Sequence, residues 1–224
     1  MTALFPKDAD RFERRRRGMV EQHLRARGLR DERVLAVMLE LPRERFVLLS
    51  LREDAYEDRA LEIDLGQSIS QPFIVAYMTE LLDVCPDAKV LEVGTGSGYQ
   101  TAVLARLAGC VHTIERMESL SHGAEKTLLA LGIPNVTFHV GDGTLGLPAH
   151  APYDRILVTA GAPRVPKSLT DQLADRGRLV IPVGGPHDQT LVLVTKNGTR
   201  LVEQPKLGCR FVKLIGSQGW SEGM

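Results

Sequence analysis

Residues 89–100, with the sequence KVLEVGTGSGYQ, decide the fold of this chain. An apolar run reaches Glu92 and then breaks into alternating glycines at Gly94, Gly96 and Gly98, ahead of a segment with helical character. Glycine adopts backbone angles closed to other residues and lets a flat ligand lie directly on the main chain. The pattern predicts a strand, a ligand-binding turn and a helix, although taken alone it also fits a tight strand-to-helix turn.

The residue at position 99 indicates which ligand the turn binds. A dinucleotide fingerprint, G-x-G-x-x-G, would place its third glycine there, where a pyrophosphate sits on the helix N-terminus. Tyr99 stands there instead, and its large ring suits a ligand without a diphosphate. The segment EVGTGSGY resembles the first motif of class I methyltransferases. That resemblance implies a Rossmann-like fold with S-adenosylmethionine as cofactor, and adds Glu92, Thr95 and Ser97 to the candidate cofactor-binding residues.

Composition limits the class of protein. The chain has 224 residues, of which 43% are hydrophobic, enough for one well-buried α/β core but short for two full domains. Lysine plus arginine and aspartate plus glutamate both total 28, so the formal net charge is zero. No overall field therefore attracts nucleic acid or an anionic membrane. The four arginines at positions 14–17 are interpreted as a solvated helix face without an assigned function.

Cysteine and histidine positions argue against a disulfide framework and a metal centre. Cys85, Cys110 and Cys209 are odd in number and far apart, which fits a reducing cytoplasm. The six histidines show no HxxxH or HxH spacing, so we expect surface or packing roles for them and no metal. No signal-peptide pattern is present, and no apolar run approaches the ~20 residues of a membrane span. We expect a soluble, cytoplasmic monomer.

The N-terminal part of the chain has helical patterning. Val20 and Leu24 lie one turn apart before Gly28, a typical C-terminal stop, and Asp31 can cap the helix that follows. Residues 56–70 have little periodicity and predict an irregular segment, of the kind that often carries active-site residues. Pro72 then suits the first turn of another helix.

Farther along, strand and helix patterns alternate. Right-handed crossovers between such elements give a mostly parallel sheet covered on both faces, with ligands at the carboxyl ends of the strands. Asn197 and Gly198 form a turn signal between two late strand-like stretches, which predicts an antiparallel edge. We therefore predict a doubly wound, mostly parallel α/β sheet of about seven strands, with N-terminal helices. The predicted strands cover residues 90–93, 111–115, 136–140, 155–159, 179–183, 191–195 and 210–215.

Polar residues that follow the predicted strands are candidates for holding an adenosyl group. Glu115 ends the second strand, where a carboxylate can accept hydrogen bonds from both ribose hydroxyls. Its alternative role is a favourable charge at the start of the next helix. Asp142 and Gly143 follow the third strand, where adenine would lie, although they could simply form a β-turn. Thr159 begins a stretch of small residues that leaves room for substrate and cofactor to meet, or marks a loop.

Ser70 has two interpretations. A serine just ahead of a proline-initiated helix is typical of an N-cap, and without a G-x-S-x-G elbow a hydrolase is not supported. However, GQSISQP at residues 66–72 resembles the GQTISQP signature of protein-L-isoaspartate O-methyltransferases. Further blocks resemble this family in the same order over most of the chain. They are LPRERFV at 41–47, AYED at 55–58, GDG at 141–143, IPVG at 181–184 and RFV at 210–212.

The resemblance implies roles for individual residues. Ser70 would be the active-site residue, and Val212 would lie near the peptide. The pocket for the substrate carboxylate would be lined by Ser68, Ile69 and Gln71. The positions that match cofactor-contacting residues of the family are Gly94, Gly96, Glu115, Asp142 and Gly143.

The lead-in to Ser70 departs from the family pattern. Glu62 and Asp64 stand where proline and glycine are common, Ser68 replaces the usual threonine, and Phe73 stands where some members have histidine. If the family glycine at position 64 needs a positive φ, aspartate there would strain the loop.

The implied activity is methyl transfer from S-adenosylmethionine to the free α-carboxylate of L-isoaspartyl residues in damaged proteins and peptides, which starts repair through a succinimide. The alternatives are methylation of another carboxylate or small molecule, and a non-catalytic nucleotide-binding module. A single methyltransferase domain is expected over residues 1–224. Within it, residues 1–70 would be a helical extension with the substrate loop, 71–195 the cofactor-binding core, and 196–224 the edge strand and substrate-side segment.

Overall fold

The computed structural model describes residues 6–222, with side chains from residue 10 onward, so residues 1–5 and 223–224 of the expected domain lie outside it. Two short strands precede a seven-stranded sheet. The strands are β1 (Leu61–Glu62), β2 (Ser68–Ile69), β3 (Lys89–Val93), β4 (Cys110–Glu115), β5 (Val136–Val140), β6 (Tyr153–Val158), β7 (Leu173–Gly184), β8 (Gln189–Asn197) and β9 (Arg200–Cys209). The α-helices are α1 (Pro6–Gly18), α2 (Glu32–Glu40), α3 (Pro72–Leu82), α4 (Tyr99–Leu107), α5 (Glu118–Ala130) and α6 (Lys167–Asp171).

The order of strands in the large sheet is β5-β4-β3-β6-β7-β8-β9. The first five of these pair in parallel, whereas β7, β8 and β9 pair antiparallel. The predicted mostly parallel sheet with an antiparallel edge is therefore confirmed. The chain moves outward from β3 to β5 and then returns to β6 on the other side of β3. This reversal opens a crevice at the carboxyl ends of β3 and β6, where open α/β sheets bind their ligands.

The N-terminal helices begin and end where the local sequence predicts. Gly28 has a left-handed φ of +97° and ends the turn before α2, and the Asp31 side chain accepts a hydrogen bond from the Arg33 amide and caps α2. Pro72 is the first residue of α3. Glycine tolerates the left-handed region, and aspartate satisfies a free helix amide. These local rules were sufficient to predict the helix boundaries in this part of the chain.

The antiparallel edge uses a different segment from the one predicted. Asn197 and Gly198 do form the turn, with φ +58° at Gly198, but β8 pairs with β9 at Arg200–Cys209. Residues 210–215 instead lie outside the named strands, and Lys213 forms an isolated parallel bridge with Gly161, which follows β6. An edge strand such as β9 is held by backbone pairing on one side only. Most of its side chains are exposed, so its sequence lacks the alternation of apolar and polar residues by which a strand is recognised.

The last parallel strand, β7, is longer than predicted, since it begins at Leu173 and the predicted strand began at residue 179.

The two central strands, β3 and β6, are deeply buried. Val90, Leu91, Ile156 and Leu157 are inaccessible to solvent, as expected of parallel strands covered on both faces. Within residues 6–222, no helix has both the length and the apolar composition needed to cross a bilayer.

Candidate active site

A cavity of about 700 Å³ lies at the carboxyl ends of the parallel strands. It is bounded by the glycine loop after β3, the ends of β4 and β6, the loop around Ser70, and residues 210–215. The structure thus brings most of the predicted site residues to one place. Those that line the cavity are Ser68, Ile69, Ser70, Gly94, Thr95, Gly96, Ser97, Tyr99, Glu115, Gly143, Thr159 and Val212. Three predicted site residues, Gln71, Glu92 and Asp142, do not line it.

The glycine loop is shaped by contact between backbone and side chain. Gly94 has a φ of +97°, and a Cβ there would lie 2.3 Å from Oγ1 of Thr159. That hydroxyl donates a hydrogen bond to the Gly94 carbonyl at 2.6 Å. A side chain at Gly94 would therefore meet both a steric clash and a disfavoured backbone angle. The loop leaves the main chain bare at the floor of the cavity, which is the surface that an adenosyl group needs.

Glu115 lies at the end of β4 with its carboxylate fixed. Oε2 accepts a hydrogen bond from the Gly96 amide at 3.0 Å, and Oε1 accepts one from the Met117 amide at 3.1 Å. Each carboxylate oxygen keeps further acceptor capacity, and the side chain lines the cavity. This is the arrangement that a ribose diol requires, because it needs an acidic acceptor held at the edge of the glycine loop.

Glu92 is fully buried near the end of β3. Its Oε2 accepts hydrogen bonds from the hydroxyls of Thr101 and Thr113, and Oε1 has no partner among the described residues. Burial raises the pKa of Glu92 to about 8, and the nearby charge of Glu115 acts in the same direction. The hydroxyl of Thr113 in turn lies 2.6 Å from the hydroxyl of Thr95 in the glycine loop, so Glu92 supports the loop through one intervening side chain. Its predicted contact with the cofactor stays a prediction.

The pH dependence of stability gives a first test of this burial. The folded-state pKa of Glu92, about 8, lies above the ordinary value of 4.5, so its stabilising protonated form is fully present below about pH 4.5 and is lost as pH rises through about 8. We expect Glu92→Gln, which cannot ionise, to flatten the decline in the unfolding free energy of the ligand-free protein between about pH 5 and 8. Urea titrations across this range measure the slope. The matched change at exposed Glu118, Glu118→Gln, should leave the wild-type slope; equal slopes in all three proteins would contradict the assignment.

Asp142 holds the C-terminal segment in place. It accepts hydrogen bonds from the amide and hydroxyl of Thr144 at 2.9 and 2.6 Å, and from the amide and hydroxyl of Ser217 at 2.8 and 2.7 Å. Burial opposes ionisation, but these hydrogen bonds outweigh it and lower the pKa of Asp142. In this structure its side chain therefore serves the turn and the C-terminal segment, and Gly143 is the member of the pair that faces the cavity. The predicted adenine contact of Asp142 stays a prediction.

The loop around Ser70 is tied to the N-terminal region by a buried arginine. Arg43 is fully buried, and it donates hydrogen bonds to the carbonyls of Ser70 and Ala55, both at 2.7 Å. Its guanidinium lies 4.8 Å from the ring centroid of Tyr99. Gln71, which does not line the cavity, donates to the carbonyl of Asp58 at 2.8 Å. Arg43 was only part of a family block in the sequence, and no local pattern predicted this contact.

One local interpretation of this loop is wrong, and the condition attached to another is not met. The N-cap of α3 is Gln71, so Ser70 does not cap the helix. Its position in the cavity wall is therefore not explained by helix capping. The left-handed residues of the lead-in are Leu65, with φ +60°, and Gly66, with φ +67°. Asp64 is not among the residues with positive φ, so the loop carries no left-handed strain at that position.

The family model described as protein-L-isoaspartate(D-aspartate) O-methyltransferase matches residues 14–219. The chain belongs to this methyltransferase family. Protein-L-isoaspartate O-methyltransferase from Methanoregula boonei is 51% identical over 220 residues, covering 98% of this chain and 99% of its own. A second such enzyme, from Pelobacter propionicus, is 53% identical over 210 residues and 93% of both chains.

Solved structures of the methyltransferase family have the same fold. One protein-L-isoaspartate O-methyltransferase superimposes with a TM-score of 0.82 at 32% identity, covering 91% of this chain and 67% of its own. A putative member from Plasmodium falciparum, solved in complex with S-adenosyl-L-homocysteine, gives a TM-score of 0.77 at 25% identity over 88% of this chain and 97% of its own. The resemblance carried by residues 66–72 is thereby confirmed.

Proposed function

We propose that this chain transfers a methyl group from S-adenosylmethionine to the free α-carboxylate of L-isoaspartyl residues in damaged proteins and peptides, so that repair begins through a succinimide. The single observation that carries the proposal is the meeting of the Ser70 loop and the glycine loop in one cavity. The first loop carries the family-specific segment, and the second offers the adenosyl site. Membership of the family does not favour methylation of another carboxylate or a non-catalytic module.

The residues present fit S-adenosylmethionine. Gly94 leaves a bare cradle that a Cβ would fill, Glu115 offers acceptors for a ribose diol, and Tyr99 occupies the place of the glycine that a diphosphate would need. When bound, S-adenosylmethionine supplies an electrophilic methyl group on sulfur. The glycine loop, Glu115 and Gly143 would hold its adenosyl part.

The chemistry of the acceptor sets what the protein must do. The α-carboxylate freed in an isoaspartyl residue is ionised at neutral pH, so it is already a nucleophile and needs no strong general base. The protein therefore has to position the carboxylate and exclude water. In-line alignment of two reactants can contribute about 7 kcal/mol or more to lowering a barrier. The Ser70 hydroxyl would donate a hydrogen bond to one carboxylate oxygen and leave the other free to attack.

Residues 210–215 of the C-terminal segment line the same cavity. Gly161 donates to the carbonyl of Val212, and Leu214 donates back to the carbonyl of Gly161, both at 2.8 Å. This backbone pairing holds Arg210 and Lys213 along the cavity. Cationic side chains there favour an anionic acceptor over a neutral one. The segment would therefore contribute to binding the carboxylate-bearing peptide.

Ser70→Ala tests the positioning role. We expect kcat to fall about tenfold, as the loss of one hydrogen bond to a charged group predicts, while the Kd for S-adenosylhomocysteine stays within twofold of wild type, a range of about 0.4 kcal/mol. Steady-state kinetics with an isoaspartyl peptide and calorimetry with S-adenosylhomocysteine provide the two values. Ser50→Ala, at an exposed serine remote from the loop in sequence, is the control. An equal loss of turnover and cofactor affinity would count against the role.

The activity itself is tested by transfer of a radiolabelled methyl group. An isoaspartyl peptide should accept label, whereas the same peptide with ordinary aspartate should not. Labelling of both peptides would indicate a less specific carboxylate methyltransferase. Binding of S-adenosylhomocysteine without any labelling would indicate a non-catalytic module.

The proposed function extends to the cellular location, the assembly state and the domain organisation of the protein. Three scattered cysteines support a cytoplasmic location. A zero formal charge supports proteins and peptides, and not nucleic acid or an anionic membrane, as the partners. The protein would act as a monomer. The substrate loop before residue 71, the core from 71 to 195 and the edge from 196 onward would work as one domain, since the cavity draws its walls from each of them.

A further inference from the structure

Three histidines come together on the sheet, away from the cofactor cavity. His112 lies in β4, His139 in β5, and His150 in the connection between β5 and β6. One ring nitrogen of each lies within 4.8 Å of those of the other two. The ring centroids of His112 and His150 are 4.6 Å apart. Neighbouring strands and a crossover gather these residues, so their spacing along the chain does not reveal the cluster.

We propose that His112, His139 and His150 form a binding site for a divalent transition ion of the zinc class. Nδ1 of His112 and Nε2 of His139 are 3.2 Å apart. A tetrahedral zinc ion with Zn–N bonds of about 2.0–2.1 Å separates two ligand nitrogens by roughly 3.3 Å. The 3.2 Å contact is a hydrogen bond between the two rings, so a metal ion would displace the proton that they share and use a nitrogen spacing that is already present.

The third ligand is the adaptable one. His150 is exposed, and the broad torsion profile of an imidazole ring lets an exposed ring rotate at small cost. A movement on the order of 1–2 Å brings its nitrogen to the distance that a tetrahedral ion requires. Its exposure also leaves the fourth position open to a water molecule. The site would bind the ion with three protein nitrogens and one solvent ligand.

The chemistry of the three ligands indicates which metals the site would bind. Imidazole nitrogens favour zinc, copper or nickel over calcium and magnesium, which need oxygen ligands. Nζ of Lys89 donates a hydrogen bond to the His150 carbonyl at 2.7 Å, so an ammonium group lies beside the cluster and opposes the binding of any cation. The affinity of the site would therefore come from the three nitrogen ligands and not from the local charge.

The cluster is separate from the methyl-transfer site. His112 precedes Glu115 by three residues on β4, a distance of about 10 Å at the rise of a strand. None of the three histidines lines the cofactor cavity. An ion bound by them would leave the adenosyl site accessible, so metal binding and cofactor binding can be measured independently.

Titration with Co²⁺ and Zn²⁺ tests the proposal on metal-stripped protein that carries no polyhistidine tag. We expect about one equivalent of Co²⁺ to give the intense visible absorption of a tetrahedral site, and Zn²⁺ but not Mg²⁺ to displace it. His150→Gln should weaken binding at least about tenfold, since even indirect partners of metal ligands commonly contribute that much. His122→Gln, at an exposed histidine on α5, is the matched control and should bind like wild type.

Matched variants separate binding at the three histidines from binding at thiols. Wild type and both variants contain all three cysteines, so thiol binding would not distinguish His150→Gln from His122→Gln. His112→Gln gives a second reading, and retained binding of S-adenosylhomocysteine shows that a variant is folded. The proposal is overturned by a wild-type protein that takes up no metal, by an octahedral cobalt spectrum, or by uptake that His150→Gln leaves unchanged.

Discussion

Replacement of Glu115 by alanine should weaken S-adenosylhomocysteine binding by about 100-fold. The carboxylate is held by the amides of Gly96 and Met117 and would accept hydrogen bonds from both ribose hydroxyls. Hydrogen bonds to a charged group contribute about 1.5–3 kcal/mol each, and a loss of roughly 3 kcal/mol corresponds to about two orders of magnitude in Kd. Isothermal titration calorimetry on the purified protein measures the change directly.

Two further variants separate ligand binding from helix stabilisation. Glu115→Gln keeps one accepting oxygen and should lie between alanine and wild type. Glu118→Ala removes an acidic residue from the first turn of α5 and should affect only stability, by about 0.3–1 kcal/mol. If Glu115→Ala lowers the unfolding free energy but leaves Kd unchanged, the carboxylate acts on the helix and not on the ribose.

Local rules of the chain predicted the central sheet and several of the residues that line the cavity. The glycines at 94 and 96 indicate a backbone shape through their own chemistry, and Glu115 ends a strand whose position follows from hydrophobic patterning. Such features depend on residues that are neighbours in sequence, so they can be detected from a single amino-acid sequence. The Ser70 segment differs. Its residues predicted an irregular loop and favoured a helix cap for Ser70 itself, and only the family resemblance indicated the substrate-binding role of that serine.

Features that depend on distant contacts were not predictable in this way. Asp142 follows its strand as expected, but the partner that occupies its carboxylate, Ser217, is 75 residues away. The edge strand β9 exists because β8 offers free backbone groups, and its own sequence has no matching pattern. Likewise, the role of Arg43 follows from the carbonyls of Ala55 and Ser70, which the fold alone brings to its guanidinium.

Arg43→Met should both destabilise the protein and misplace the substrate loop. The buried carbonyl of Ala55 and the part-buried carbonyl of Ser70 would lose their donors, and an unsatisfied buried group costs about 1–3 kcal/mol. A net loss of about 3 kcal/mol lowers Tm by roughly 6–12 °C in a chain of this size. Since the guanidinium holds the backbone of Ser70 itself, kcat/KM for an isoaspartyl peptide should fall by more than about tenfold below the melting range, a change of about 1.4 kcal/mol.

A purely structural role for Arg43 predicts a different result. Then Tm would fall, but kcat/KM measured well below the transition would stay at the wild-type value. Arg43→Lys sharpens the distinction, because an ammonium lacks the planar fork that reaches two carbonyls at fixed angles; it should retain part of the stability and little of the peptide activity. The Kd for S-adenosylhomocysteine should change far less, since the hydrogen bonds of Arg43 go to the Ser70 side of the cavity. Arg45→Met, at a partly exposed arginine in the same turn, controls for the loss of charge, and activity in it should match wild type if the two carbonyl contacts carry the effect.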